Sequence, residues 1–197
     1  MRAMVCESLG PPSSLVLREL PDPPDPGPGE IKVAIAARGV QFVDVLMVAG
    51  EYQTKPPLPF VPGGEGAGTV IAVGAGVTDF KEGDAVMTRH PPGAYAEMGT
   101  IAADAALPVP AGLSLEQAAG FRSAYTTAYH ALVQRGRLQP GEVLLVHGAA
   151  GGIGLAAVQV GKILGASVIA TAGSDEKLEV VAANGADHTI NYNDGFR

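Results

Sequence analysis

The stretch LLVHGAAGGIGLAAVQVGKILG (144–165) decides how this chain is read. An apolar run meets four glycines between Gly148 and Gly154. Apolar residues then recur at helical spacing. Strand, glycine turn and helix in that order predict a loop that holds a phosphate. Backbone N–H groups at the helix start point at the anion, and the helix dipole favours its charge. The run VLLVH is apolar without alternation, which predicts a strand buried on both faces.

Working outward, SVIATAG (167–173) reads as a second strand, DEKLEVVAANG (175–185) as a helix and HTINY (188–192) as a short third strand. Alternating strands and helices imply a parallel sheet. The loop AAGGIG (149–154) departs once from the dinucleotide pattern G-x-G-x-x-G/A: Ala149 stands in the first glycine's place. Gly151 and Gly154 fill the second and third places, for pyrophosphate approach and for close helix–strand contact. Backbone groups of Ala150, Gly151, Gly152 and Ile153 are the candidate pyrophosphate donors. An NAD site wants an acid at the end of the second strand, about 20 residues on, to bind the ribose 2′-OH. Gly173 occupies that position, with Ser174 and Lys177 beyond it. This predicts NADPH as cofactor, with Ser174 and Lys177 meeting the 2′-phosphate. Asp175 reads either as the acid displaced by two residues or as a helix N-terminal residue that favours the dipole; the second reading is preferred.

The residues before this region have another style. IKVAIAARGV (31–40) and TVIAVGAGV (69–77) alternate with a period near two. DAVMTRH (84–90) and AYAEMGTIA (94–102) are further candidate strands. Gly- and Pro-rich turns separate them, including PPLPFVPGG (56–64) and HPPG (90–93). Short strands between such turns predict a small antiparallel barrel or sandwich. The proline-rich PDPPDPGPG (21–29) reads as a stiff connector. SLEQ (114–117) is a capping-box pattern that opens a helical stretch running to Arg135, with Tyr125, Tyr129 and Leu132 on one face.

Composition excludes several classes. A formal charge of −7 with scattered basic residues argues against nucleic acid as a partner. Cys6 is the single cysteine, so no internal disulfide forms, which suits a reducing compartment. No signal-peptide pattern opens the chain, and its most apolar window is interrupted by polar residues and glycines. The reading is a soluble cytoplasmic protein with no membrane partner.

Three stretches carry a resemblance: GVQFVDVLMVAGEYQTKPPLPFVPGGEGAGTVIAVG (39–74), GFRSAYTTAYHAL (120–132) and VHGAAGGIGLAAVQVGKILGASVIATAGSDEK (146–177). The chain resembles the N-terminal portion of the zinc-independent medium-chain dehydrogenase/reductases, the quinone oxidoreductase (zeta-crystallin-like) group. The resemblance implies an α+β then α/β architecture. A GroES-like β-barrel substrate domain (1–125) precedes the first half of an NADPH-binding Rossmann domain (126–197), which is incomplete. It implies hydride transfer from NADPH to a quinone; the alternative is an enone or enoyl-thioester (alkenal) reductase. Gln41 and Tyr52 match the stretch that lines the acceptor site in the family. Gln41 replaces the usual Asn, and Leu46 a frequent Tyr. Tyr52 reads equally as a half-buried loop aromatic. Thr127 matches a threonine on the nicotinamide side, or is a helix-face hydroxyl, and Tyr192 matches a residue near the 2′-phosphate. Arg122 reads as a surface arginine, the alternative being a residue that meets a substrate anion or the cofactor. At the zinc-ligand positions of metal-dependent relatives stand Gln41, Gly64 and, nearby, Phe121, so no metal is expected.

A dinucleotide fold has six parallel strands in the order 3-2-1-4-5-6. The chain supplies the first three, so it reads as a fragment whose 197 residues are inactive alone. A second reading is a truncated, non-catalytic nucleotide- or partner-binding module. The resemblance is compatible with a homodimer of the full-length protein.

Overall fold

A computed structural model describes residues 1–90 and 93–195; the turn expected at Pro91 and Pro92 lies outside them. Two compact units emerge, Met1–Arg122 and Ser123–Arg197.

In the first unit, β1 (Arg2–Val5) and β2 (Val16–Glu19) form an antiparallel ribbon. Five further strands follow: β3 (Glu30–Arg38), β4 (Glu65–Val73), β5 (Ala85–Arg89), β6 (Met98–Ala102) and β7 (Ala106–Pro108). They pair antiparallel in the order β6-β3-β4-β5-β7. Where the sequence predicts one barrel or sandwich, the described residues pair as this sheet plus the ribbon. Isolated bridges Ala3–Ala96 and Cys6–Phe60 add further pairing. The period-two pattern of β3 puts Ile31, Val33 and Ile35 on the buried face. Ile31 and Val33 pack with Val70, Val86 and Ile101.

Strand β4 begins four residues before the alternating run that predicted it. Its start, EGAG, lies between the predicted turn PPLPFVPGG and that run. In the sheet it is a strand whose glycines allow close backbone approach. A Cβ at Gly68 would lie 2.0 Å from the Ala34 carbonyl oxygen.

The sequence did not predict helix α1 (Phe42–Ala49), because its valines favour strand. Its ends decide it. Asp44 accepts from the Gln41 backbone N–H at 2.9 Å. Gly50 closes the other end in the left-handed region, φ 75°.

Helix α2 (Leu115–Ala119) starts at the predicted capping box: Ser114 N–H donates to Gln117 Oε1 at 3.0 Å, and Gln117 N–H to Ser114 Oγ at 3.3 Å. The expected single helix is broken at Gly120 into α2 and α3 (Phe121–Tyr129), which runs on into a π-helical turn, His130–Arg135. Tyr125 and Leu132 pack on Ala124, Ala128, Ala156 and Val160, whereas Tyr129 is exposed. The predicted common face therefore loses one member.

The second unit runs β8 (Val143–Val146), α4 (Gly152–Ile163), β9 (Ser167–Ala172), α5 (Asp175–Ala183) and β10 (His188–Asn191). The strands are parallel in the order β10-β9-β8. Val146, Val168 and Ala170 pack with Val158 of α4 and Val181 of α5. The expectation that β8 is buried on both faces is corrected: Val143 is 65% and Leu145 49% exposed. Both helices cover the same face, and β8 pairs only with β9 among the described residues. No helix among them is long and apolar enough to cross a membrane.

Candidate functional site

The glycine loop follows β8 directly. Gly148, at φ 60°, makes the left-handed turn, one residue before the position where the pattern lacks its first glycine. Ala149 can then be buried, its N–H donating to the Thr171 carbonyl at 2.9 Å. Gly154 has no room for a side chain: a Cβ would lie 2.5 Å from Gly148 O and 2.7 Å from Ala149 Cα. It lets the first turn of α4 lie against the loop. Gly151 is the N-cap of α4, and a Cβ there would approach Gly148 O no closer than 3.5 Å. The next residues, Gly152 and Ile153, carry N–H groups with no acceptor inside the helix.

Of the expected cofactor residues, Ala150, Gly151, Gly173, Lys177 and Tyr192 line one hollow of about 180 Å³. Gly152 and Ile153 are exposed in the first turn of α4 beside it. Ser174 caps α5, accepting from the Lys177 N–H at 3.4 Å, which leaves its own hydroxyl hydrogen to donate elsewhere. Thr127 is exposed on α3 and does not line this hollow.

The end of β9 is shaped by Tyr192. A Cβ at Gly173 would lie 2.4 Å from the Tyr192 hydroxyl oxygen, so a side chain at that position would have to displace the Tyr192 ring. Asn193 Nδ2 donates to the Gly173 carbonyl at 2.7 Å and holds the same turn. Asp175 is the first residue of α5, and Asn191 Nδ2 donates to its Oδ1 at 3.0 Å. The exposed Lys177 takes part in no ion pair among the described residues. The hollow thus offers backbone groups, a phenol and a cation, with the Ser174 hydroxyl next in the chain to its lining residue Gly173. That is a donor set for phosphate.

The first unit holds a separate polar cluster. Gln41 is the N-cap of α1, and its Nε2 donates to Glu65 Oε1. Asp44 and Glu65 are both buried. The Tyr95 hydroxyl donates to Asp44 Oδ2 at 3.0 Å. Burial pushes the Tyr95 phenol well above its ordinary range, and the charges of Asp44 and Glu65 push it the same way. Tyr52 lies half-buried in the loop after α1. Glu65, rather than Tyr52, is the side chain that meets Gln41. Sequence reasoning missed Asp44, Glu65 and Tyr95. One signal was available: Glu65 is a lone acid between glycines at the head of an apolar run. Arg122 donates to the Ala105 carbonyl, and burial, with Arg89 nearby, lowers its pKa.

Comparison with known proteins fits both units. The alcohol dehydrogenase GroES-like domain family matches residues 27–134. The chain belongs to the medium-chain dehydrogenase/reductase superfamily. Within it, the chain sits in the quinone oxidoreductase/VAT-1 family, as its relatives show. The human synaptic vesicle membrane protein VAT-1 homolog is 40% identical over 193 residues, covering 98% of this chain and 49% of that protein. The Escherichia coli quinone oxidoreductase, solved in complex with NADPH, is 37% identical with a TM-score of 0.91, covering all of this chain and 60% of that one. An NAD-dependent alcohol dehydrogenase of known structure is 36% identical with a TM-score of 0.93, over 98% of this chain and 64% of that one. The chain therefore spans about half to two thirds of the length of these relatives.

Residues 152–197 of this family member also match the zinc-binding dehydrogenase family. A catalytic zinc does not fit the donors present. The corresponding positions hold an amide (Gln41), no side chain (Gly64) and a phenyl ring (Phe121). Among the described residues no group of three or more His, Cys, Asp or Glu could hold a metal ion.

Proposed function

We propose that the protein bearing this chain is a zinc-independent NADPH-dependent oxidoreductase that reduces a quinone by hydride transfer. The observation that carries the cofactor choice is the end of β9. Gly173 stands where an NAD site has its acid, so no carboxylate is there to bind the ribose 2′-OH, and Tyr192 packs over the position instead. Lys177 and the Ser174 hydroxyl suit a 2′-phosphate instead. In this reading Ala150, Gly152 and Ile153 hold the pyrophosphate by backbone N–H groups, and Gly151, whose own N–H donates to the Gly148 carbonyl at 3.1 Å, lets the phosphate approach the backbone. Ser174, Lys177 and Tyr192 hold the 2′-phosphate, and Thr127 meets the nicotinamide side. The cofactor residues belong to a domain 126–197 and the acceptor residues to a domain 1–125.

NADPH, when bound, supplies the hydride. Gln41 and Tyr52 donate hydrogen bonds to the acceptor oxygen as it gains negative charge, and a solvent proton completes the hydroquinone. A quinone accepts hydride without a Lewis acid, which matches a donor set that does not suit zinc. Leu46 and the longer reach of Gln41 favour a second reading, an enone or enoyl-thioester acceptor at the same site.

The test is stopped-flow oxidation of NADPH by the intact protein with 1,4-benzoquinone, 9,10-phenanthrenequinone and an alkenal. Turnover with a quinone supports the reading, and turnover with the alkenal alone moves it to the second. No oxidation with any acceptor would sink it. Lys177→Ala is expected to weaken NADPH roughly tenfold or more, the worth of a charge-assisted hydrogen bond, and to leave NADH unchanged. Equal losses for both nucleotides in isothermal titration would refute the phosphate role.

A further inference from the structure

Glu65 is 1% exposed, and the fold makes room for it. A Cβ at Gly39 would lie 2.6 Å from Glu65 Oε1 and 2.7 Å from its Cγ, so the backbone at Gly39 is cut back to accommodate the acid. The Gly39 N–H donates to the Glu65 carbonyl at 3.2 Å. Burying a carboxylate is costly unless it is hydrogen-bonded. Here Oε1 accepts from Gln41 Nε2. Gln41 is held from a second side, because its backbone N–H donates to Asp44 Oδ2 at 2.9 Å. The Tyr95 hydroxyl locks Asp44 in turn, at 3.0 Å.

This arrangement solves a problem of polarity. The two ends of a glutamine amide have nearly the same shape, yet one only donates and the other only accepts. An ionised carboxylate only accepts. It therefore selects the Nε2 end of Gln41 and uses one of its two hydrogens, and the second hydrogen is left for another acceptor. A neutral amide at position 65 would accept either orientation. We propose that Glu65 is a positioning residue, which fixes the Gln41 amide so that its second N–H is presented to the carbonyl oxygen of the acceptor. This rests on the reading of Gln41 as an acceptor-side donor. It adds a requirement that the reading lacks: the donor works only while an anion stands behind it.

The experiment is a double-mutant cycle in the intact protein with Glu65→Gln, Gln41→Ala and both together. NADPH oxidation by 1,4-benzoquinone and thermal unfolding are measured for each. Glu65→Gln is expected to lower kcat on the order of tenfold, within the loss seen on removing an oxyanion donor. The same change in the Gln41→Ala background is expected to cost nothing further. Independent, multiplying losses would overturn the proposal. Should Glu65→Gln fold poorly, the exchange Gln41→Glu with Glu65→Gln retains an amide–carboxylate pair in reversed order. It is expected to fold and to have lost most of its kcat; wild-type activity in the exchanged protein would overturn the idea. A readout without turnover separates this inference from the reductase reading. The two side-chain amide protons of Gln41 should be widely split in the 1H–15N spectrum of the wild type, with one shifted by the carboxylate. Collapse of that splitting in Glu65→Gln supports the positioning role, and an unchanged pair of signals overturns it, whatever acceptor the enzyme uses.

Discussion

Mild acid should destabilise the first unit through a single histidine. His90 is 7% exposed. Thr88 Oγ1 donates to the Gly66 carbonyl at 3.1 Å and lies 2.8 Å from His90 Nε2. Its one hydrogen is thus committed, so it accepts from His90, and the network assigns the neutral Nε2–H form. The other side of the ring faces Gly99, where a Cβ would lie 3.0 Å from His90 Cε1. Burial lowers the His90 pKa from 6.5 to about 4. The unfolded chain therefore binds more protons than the folded one between those values, and stability falls as pH drops from 6.5 toward 4. The limiting loss is about 3.4 kcal/mol, at about 1.36 kcal/mol per pKa unit. Between pH 7.5 and pH 5 the same linkage gives about 2 kcal/mol. Glu97 and Asp187 have lowered pKa values, so they titrate below this window. Urea unfolding followed by circular dichroism at the two pH values measures the loss. His90→Gln keeps a donor for Thr88 but cannot take up the proton, and should flatten the dependence. Equal stability of the wild type at both pH values, or the same decline in His90→Gln, would refute this reasoning.

Two further substitutions test the glycine loop and its neighbour. Gly154→Ala places a Cβ 2.5 Å from the Gly148 carbonyl oxygen and should destabilise the second unit by about 1–3 kcal/mol, the usual cost of overpacking; an unchanged urea midpoint would contradict the packing. Gly173→Ala must displace Tyr192, whose hydroxyl lies 2.4 Å from the new Cβ. NADPH affinity should fall while the urea midpoint changes little, and unaltered affinity would remove Tyr192 from the 2′-phosphate site.

Much of this protein was written in local pattern. The period-two run of Ile31, Val33 and Ile35 predicted a half-buried strand, and the buried face bears it out. The SLEQ box predicted the start of α2, because a cap depends on residues three apart. The order of strand, glycine turn and helix from Val143 onward predicted the parallel unit, since each element is legible within a dozen residues. Other features needed contacts far apart in the chain. Helix α1 is settled by a cap from Asp44, a residue buried against Tyr95 from another part of the unit. The head of β4 lies outside the alternating run, and its glycines are explained only by the Ala34 backbone pressed against Gly68. Exposure of Val143 and Leu145 depends on which face the helices cover, which an apolar run cannot reveal. Gly173 could be read from sequence as the absence of an acid; that its place is covered by the ring of Tyr192, nineteen residues on, required the fold. The Gln41–Glu65 pair likewise spans 24 residues. Local pattern specifies elements, because backbone propensity and periodicity act between near neighbours. Polarity and exclusion at a site are decided by groups that only the tertiary fold brings into contact.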